Sequence, residues 1–271
     1  MLSDWNTTVS PDTAGMLSDA DLAALLAKTA GDRLLDLRAR LRGALPAELK
    51  EQGDEEGQRV LADGLAATRP RDAVLSEEAV DDLTRLSASR VWIIDPLDGT
   101  REFSEGRDDW AVHVALWQDG DLVAGAVALP GLDIVLTSDP PPLLPPRHQP
   151  TRPRMAVSRS RPPAVAGRVA HALGAELVEM GSAGFKAAAV IRGEVDLYVH
   201  GGGQYEWDSA APVAVARAVG LHTSRLDGAP LRYNQPDPYL PDLVVCRPEL
   251  AGDVLGALRA LSDDEPHGGA L

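Results

Sequence analysis

The sequence predicts an α+β half followed by an α/β half, as one large domain or as two halves sharing a cleft. Three observations carry this expectation. Helical apolar spacing and then period-two strand patterns fill residues 16–138, strands alternate with helices over 154–271, and seven prolines in 139–153 divide the two patterns as a stiff connector. Residues 1–15 mix Ser, Thr, Asp, Pro and Gly without period and are read as a mobile leader.

Taken in order, Ser18 and Asp21 have the spacing of a capping box. Leu22, Leu25, Leu26, Leu34, Leu37 and Leu41 keep a helical spacing up to Pro46. A second helix is expected from about Asp54 to Arg69, with Asp54 at its start, Val60, Leu61, Gly64 and Leu65 on one face, and Pro70 ending it. Ala73 to Ser76 reads as a short strand delivering Glu77 and Glu78. Val91 to Ile94 is β-branched and apolar enough for a buried strand, which Pro96 is expected to stop. Trp110 to Trp117, Leu122 to Leu129 and Ile134 to Thr137 suit an antiparallel meander, turning at Asp119-Gly120. Beyond the connector, strands are expected over 155–157, 176–180, 195–199 and 243–245. Helices are expected near 163–173, 185–192, 207–219 and 249–261, with Gly193 and Gly220 at C-terminal caps.

Composition narrows the function classes. A chain of 271 residues can bury a sizeable core. Its 26 basic and 41 acidic residues leave a net charge of −15, which disfavours a nucleic acid polymer or an anionic membrane as partner. No stretch approaches the roughly 18 apolar residues of a membrane span, and the N-terminus lacks a basic-then-apolar pattern, so a cytoplasmic location is expected. Cys246 is the single cysteine, which excludes an internal disulfide and reads as a buried strand thiol. A homodimer is left open.

Chemistry concentrates in Asp95-Pro96-Leu97-Asp98-Gly99-Thr100. Two carboxylates three residues apart, with the Leu97 carbonyl between them, can converge just beyond a strand, and oxygen-only ligands suit Mg²⁺. Gly99 lets the backbone pass close to a bound group, and Thr100 adds a hydroxyl at the first turn of a helix, where free N–H groups favour an anion. The bland alternative is an Asx-type turn closing a buried strand.

Together with Ser76-Glu77-Glu78 upstream and Trp207-Asp208-Ser209-Ala210-Ala211 downstream, this stretch resembles the inositol monophosphatase superfamily of Mg²⁺-dependent, lithium-sensitive phosphatases. Val74-Leu75-Ser76-Glu77-Glu78 and Gly181-Ser182-x-x-x-Lys186 are most similar to its CysQ-type 3′(2′),5′-bisphosphate nucleotidases, over about residues 18–261. The resemblance implies a layered αβαβα sandwich of the inositol monophosphatase/fructose-1,6-bisphosphatase type. It implies that Glu77, Asp95 and the Leu97 carbonyl hold one Mg²⁺ and that Asp95, Asp98 and Asp208 hold a second, with a third near Asp54 as an open alternative. It also implies catalytic roles for Asp54, Glu77 and Thr100. Asp54 follows Glu51-Gln52-Gly53, where relatives carry a threonine-containing segment, and a charge serving only a helix dipole is its alternative.

The substrate is expected to be a small phosphorylated molecule, 3′-phosphoadenosine 5′-phosphate or its phosphosulfate. It would be hydrolysed to release the 3′-phosphate in sulfur assimilation, with contacts from Glu77, Asp98, Gly99, Thr100, Gly181, Ser182, Lys186 and Asp208. Ser158-Arg159-Ser160-Arg161 is a second candidate anion site, since arginine grips phosphate through two hydrogen bonds; a solvated basic loop is the alternative. Inositol 1-phosphate or fructose 1,6-bisphosphate hydrolysis by the same metals is the rival activity. A metal- and phosphate-binding module without catalysis is the rival class. His200-Gly201-Gly202-Gly203 is expected to be a flexible loop, and neither a nucleophile elbow nor a phosphate-loop motif is present.

Overall fold

The first two helices and the turn at Pro96 decide how the site is built. The computed structural model describes residues 16–147 and 152–263, so the expected leader, part of the proline connector and the last eight residues lie outside it. Helix α1 spans Asp19–Arg40 and is capped by Ser18, whose Oγ accepts from the Asp21 N–H at 3.1 Å. It buries Leu22, Leu26, Leu34 and Leu37 on one face. Helix α2 spans Pro46–Thr68, starting eight residues before the expected Asp54. Pro46 therefore opens the second helix rather than merely closing the first: its fixed φ and missing N–H suit the first helical position. Asp54 consequently lies inside α2, not at its start. The early turns escaped the apolar pattern because their buried face is made of glycines as well as Leu49. A Cβ at Gly57 would stand 2.9 Å from the Pro96 carbonyl oxygen, so α2 can lie this close to the turn at Pro96 only with glycine there.

Strands β1 (Ala73–Ser76), β2 (Arg90–Asp98), β3 (Ala111–Gln118), β4 (Asp121–Leu129) and β5 (Ile134–Thr137) form one sheet in that order, parallel between β1 and β2 and antiparallel elsewhere. Strand β2 does not stop at Pro96. It pairs with β3 again at Asp98↔Ala111 after an irregularity between Asp95 and Asp98. Because β1 pairs no further than Ser76↔Ile94, the missing Pro96 N–H has no partner strand to serve. A short helix α3 (Thr100–Ser104) follows.

The second sheet contains β6 (Arg154–Ser158), β7 (Glu176–Met180), β8 (Leu197–Tyr205), β9 (His222–Ser224) and β10 (Tyr239–Cys246), in the order β7-β6-β8-β10-β9. Its helices are α4 (Ala164–Leu173), α5 (Ala183–Ile191), α6 (Glu206–Ala218) and α7 (Ala251–Asp263). The expected flexible loop at His200–Gly203 is instead part of β8, where His200 and Gly201 pair with Leu243 and Asp242. Ladder hydrogen bonds come from the backbone, so a glycine run that reads as a loop can still be held by its neighbour strand. The three-residue β9 had no sequence signal.

Alternation along the strands sorts the core into three layers of contact. Trp92, Ile94, Val112 and Val114 face α1 and α2. Val91, Ile93, Ala115 and Val127 face the other way, onto α5 and α6 and through them Tyr198 and Val245. Met155, Val157, Leu197, Val244 and Cys246 pack against α4 and α7. Helices, sheet, helices, sheet, helices make five layers, the αβαβα sandwich. At about 2 kcal/mol per buried large apolar side chain, these contacts dominate the stability. Among the described residues no helix is long and apolar enough to cross a membrane.

Candidate active site

Asp95 and Asp98 arrive at the irregular end of β2, both buried, and Asp208 arrives on the first turn of α6. One oxygen from each lies within 4.8 Å of the others. The local Asx turn is also present, since Asp95 Oδ1 accepts from the Leu97 N–H at 3.0 Å, so the bland reading and the metal reading describe the same turn. Asp98 sits at the N-terminus of α5, where Oδ1 accepts from Ala183 N–H at 3.2 Å and Oδ2 from Gly184 N–H at 2.6 Å. Those donors hold its carboxylate in place at the helix N-terminus. A Cβ at Gly184 would overlap the His113 ring, so this approach also requires glycine. Asp208 Oδ2 accepts from the Tyr205 N–H at 2.7 Å.

Glu77 follows β1 directly at the rim, with its carboxyl turned inward to a hydrogen bond with Asp95. Thr100 Oγ1 donates to Asp54 Oδ1 at 3.2 Å and lies 3.3 Å from the Leu97 carbonyl oxygen, so the pair expected from resemblance is in contact. Gly99, at φ +96°, makes the turn between β2 and α3.

Like charges dominate the electrostatics. Loss of water, then Glu77, Asp98 and Asp208, push the Asp95 carboxyl well above the usual range. Asp208 is pushed up to about 8 by burial and then Asp98, Glu77 to about 7 by burial and then Glu78, and Asp54 to about 6 by burial and then Glu78. Carboxylates this close need either protons or a cation between them, and the oxygen-only donor set fits a hard divalent metal.

The cluster opens on a cleft of about 310 Å³ that Ser158, Arg161, Gly181 and Lys186 also line. Hollows of about 470 and 510 Å³ elsewhere do not reach the carboxylates. Lys186 is buried on α5: Nζ donates to the Gly181 and Ser182 carbonyls and lies 5.4 Å from the centre of the Tyr198 ring. Burial lowers its pKa to about 8. Ser182 caps α5. Arg159, expected beside Arg161, does not line the cleft, because Glu102 and Glu105 hold its Nη2 at 3.1 and 2.7 Å.

Sequence reading missed His113. It is fully buried, donates from Nδ1 to the Trp207 carbonyl at 3.0 Å, and places Nε2 3.4 Å from Asp98 Oδ2, so it ties β3 to the residue before Asp208. Its signal was a lone polar residue in the apolar run Ala111-Val112-His113-Val114-Ala115, directly opposite Asp95 in the sheet.

Known proteins resemble this chain over most of its length. A protein of Mycobacterium leprae (strain TN) named 3′-phosphoadenosine 5′-phosphate phosphatase is 51% identical over 92% of this chain and 96% of its own. One of the same name from Mycobacterium bovis is 54% identical over 84% and 89%. The 3′(2′),5′-bisphosphate nucleotidase CysQ of Escherichia coli (strain K12) is 30% identical over 81% and 96%. Among solved structures, CysQ from Bacteroides thetaiotaomicron superposes with a TM-score of 0.74 at 25% identity, covering 86% of this chain and 98% of that one. Inositol monophosphatase II from Staphylococcus aureus superposes at 0.76 and 21% identity, over 90% and 96%, and shows the fold. The chain is thus an enzyme of the phosphoric monoester hydrolase class. The family model described as the inositol monophosphatase family matches residues 20–139 and 145–261, and the chain belongs to that family.

Proposed function

We propose that the chain hydrolyses the 3′-phosphate of 3′-phosphoadenosine 5′-phosphate, and of its phosphosulfate, to the 5′-nucleotide and phosphate, in the cytoplasm and in the service of sulfur assimilation. The observation that carries this is the cleft itself, which is lined by the Asp98 and Asp208 carboxylates together with Ser158, Arg161 and Lys186. A bisphosphate has a second phosphoryl group to offer there, carrying nearly two negative charges, whereas inositol 1-phosphate has none. The names of the mycobacterial relatives support the same substrate.

Glu77, Asp95 and the Leu97 carbonyl would hold one Mg²⁺, and Asp95, Asp98 and Asp208 a second; bound there, Mg²⁺ supplies water activation and charge for the leaving oxygen. The chain does the rest. Because Thr100 gives its hydroxyl proton to Asp54, its lone pairs are left to accept from an attacking water and orient it. Asp54, pushed up to about 6, is ionised yet basic enough at neutral pH to receive a proton at its carboxylate as the water attacks. The first-turn N–H groups of α5 fix Asp98 so that it does not rotate toward the product phosphate.

Phosphate release with Mg²⁺ tests the reading across 3′-phosphoadenosine 5′-phosphate, inositol 1-phosphate and fructose 1,6-bisphosphate. The bisphosphate nucleotide is expected to have the highest kcat/KM. Equal values for the three would leave a general phosphatase instead.

A further inference from the structure

Glu77 follows β1 directly, and the loop that leads on from it to β2 has little of its own to hold it. Between Ser76 and Val91, Arg85 is the only buried residue, at 1% exposure. Its guanidinium faces back along the loop and across to the other half of the chain. Nε and Nη2 donate to Asp81 Oδ2 at 3.0 and 2.8 Å, Nη1 to Asn234 Oδ1 at 2.7 Å, and Nη2 to the Gln235 carbonyl at 2.9 Å. The segment it grips is bound in turn to α6. The Asn234 and Gln235 N–H groups donate to Glu206 Oε2 and Oε1 at 2.6 and 2.7 Å, and the Glu206 N–H donates to the Pro238 carbonyl at 2.8 Å. Glu206 is two residues before Asp208.

Burying a guanidinium and a carboxylate is costly, and an apolar plug of similar volume would stabilise the fold as well or better. What an apolar plug lacks is direction: the planar fork of Arg85 and the paired oxygens of Glu206 each accept only one placement of the chain between them. We propose that Arg85, Asn234 and Glu206 form a positioning clasp that fixes the Glu77 loop against the Asp208 end of α6, so that carboxylates from two distant segments face the same acidic cluster. The clasp rests on the metal reading above. None of its three residues belongs to the acidic cluster.

Asn234→Gly isolates it. Asn234 has φ +58°, which glycine adopts without strain, and the change removes the amide that meets Arg85 while leaving the backbone N–H bonded to Glu206. Mn²⁺ titrated into the metal-free full chain by calorimetry should bind about tenfold more weakly than to the wild type. The Mg²⁺ concentration for half-maximal activity should rise in parallel, with kcat at saturating Mg²⁺ nearly unchanged. Asn234→Asp, which keeps an acceptor for Nη1, should restore the affinity. Arg225→Ala, which breaks a two-point pair with Asp242 at 2.6 and 2.7 Å in the second sheet, should lower Tm without moving Mn²⁺ affinity. Where Asn234→Gly does not fold, Arg85→Lys, which keeps the charge and loses the fork, carries the same expectation. Wild-type Mn²⁺ affinity in a variant of lowered Tm overturns the clasp alone. A wild type that binds no Mn²⁺ overturns the metal reading and the clasp with it.

Discussion

At the scale of the residue, crowded carboxyls at the end of β2 make the metal-free protein sensitive to pH. Asp95 and Asp208 have folded pKa values above their unfolded ones, Asp208 at about 8 against 3.8, so between those pH values the folded state binds more protons than the unfolded state. Stability therefore falls as pH rises through that window. Metal-free protein should show a higher Tm at pH 6 than at pH 8.5, and saturating Mg²⁺ should narrow the gap; a Tm that rises with pH in the absence of metal would contradict the assignment of these groups. Asp95→Asn follows from the same crowding. It should cut turnover to about a hundredth or less, because Asp95 is the ligand shared by both proposed metal sites, while the metal-free Tm stays level or rises through relief of repulsion. Retention of a tenth of wild-type turnover would falsify the shared-ligand role. The acidic residues were legible in the sequence because Asp-Pro-Leu-Asp-Gly-Thr is local. His113 was not, since its meaning depends on lying opposite Asp95 across a strand pair.

At the scale of the element, α2 shows where apolar periodicity stops being informative. Val60, Leu61 and Leu65 mark its second half, but Gly53 and Gly57 mark the half that touches the site, and glycine carries no hydrophobic signal. Close packing against Pro96 and Leu97 is what those positions encode. Gly57→Ala tests this against helix propensity, which alone would favour alanine by about 1 kcal/mol. The added Cβ meets backbone that cannot swing aside, so a lower Tm is expected, with a disproportionate loss of kcat as Asp54 is carried away from Thr100. A raised Tm with full activity would show that α2 can retreat without cost. The strand at His200–Gly203 was illegible for a related reason: its place is set by β10, which arrives about forty residues later.

At the scale of the whole molecule, the five layers were legible in outline, since a strand meander followed by alternating strands and helices leaves few ways to cover both sheets. Which helices lie between the sheets was not. The small-residue faces of α5 and α6, Ala187 to Ala189 and Ala210 to Ala216, are suited to the middle layer because both sheets must approach them closely. That burial brings the N-termini of α5 and α6 to the end of β2, so Asp98 and Asp208 meet in one cleft although 110 residues separate them in the chain.

The cleft also separates two arginines that look equivalent in the sequence. Arg159 spends its guanidinium on Glu102 and Glu105, whereas Arg161 follows a turn in which its N–H donates to Ser158 Oγ at 3.2 Å, and it lines the same cleft as Asp98 and Asp208. A second phosphoryl group held there gains a charge-assisted contact of about 1.5–3 kcal/mol, equivalent to roughly ten- to a hundredfold in efficiency. Arg161→Ala should therefore lower kcat/KM for 3′-phosphoadenosine 5′-phosphate by at least about tenfold and leave inositol 1-phosphate, which has no group to place there, within about twofold. Arg159→Ala should change the two substrates alike, because its partners are the carboxylates of Glu102 and Glu105 rather than the ligand. Lys186→Ala is a poorer probe, since it also strips donors from the Gly181 and Ser182 carbonyls and loosens the cap of α5 that holds Asp98. Steady-state kinetics on the two arginine variants with both substrates decides the matter: if Arg161→Ala slows both substrates equally, the part of the cleft that Arg161 lines is not where a second phosphate binds.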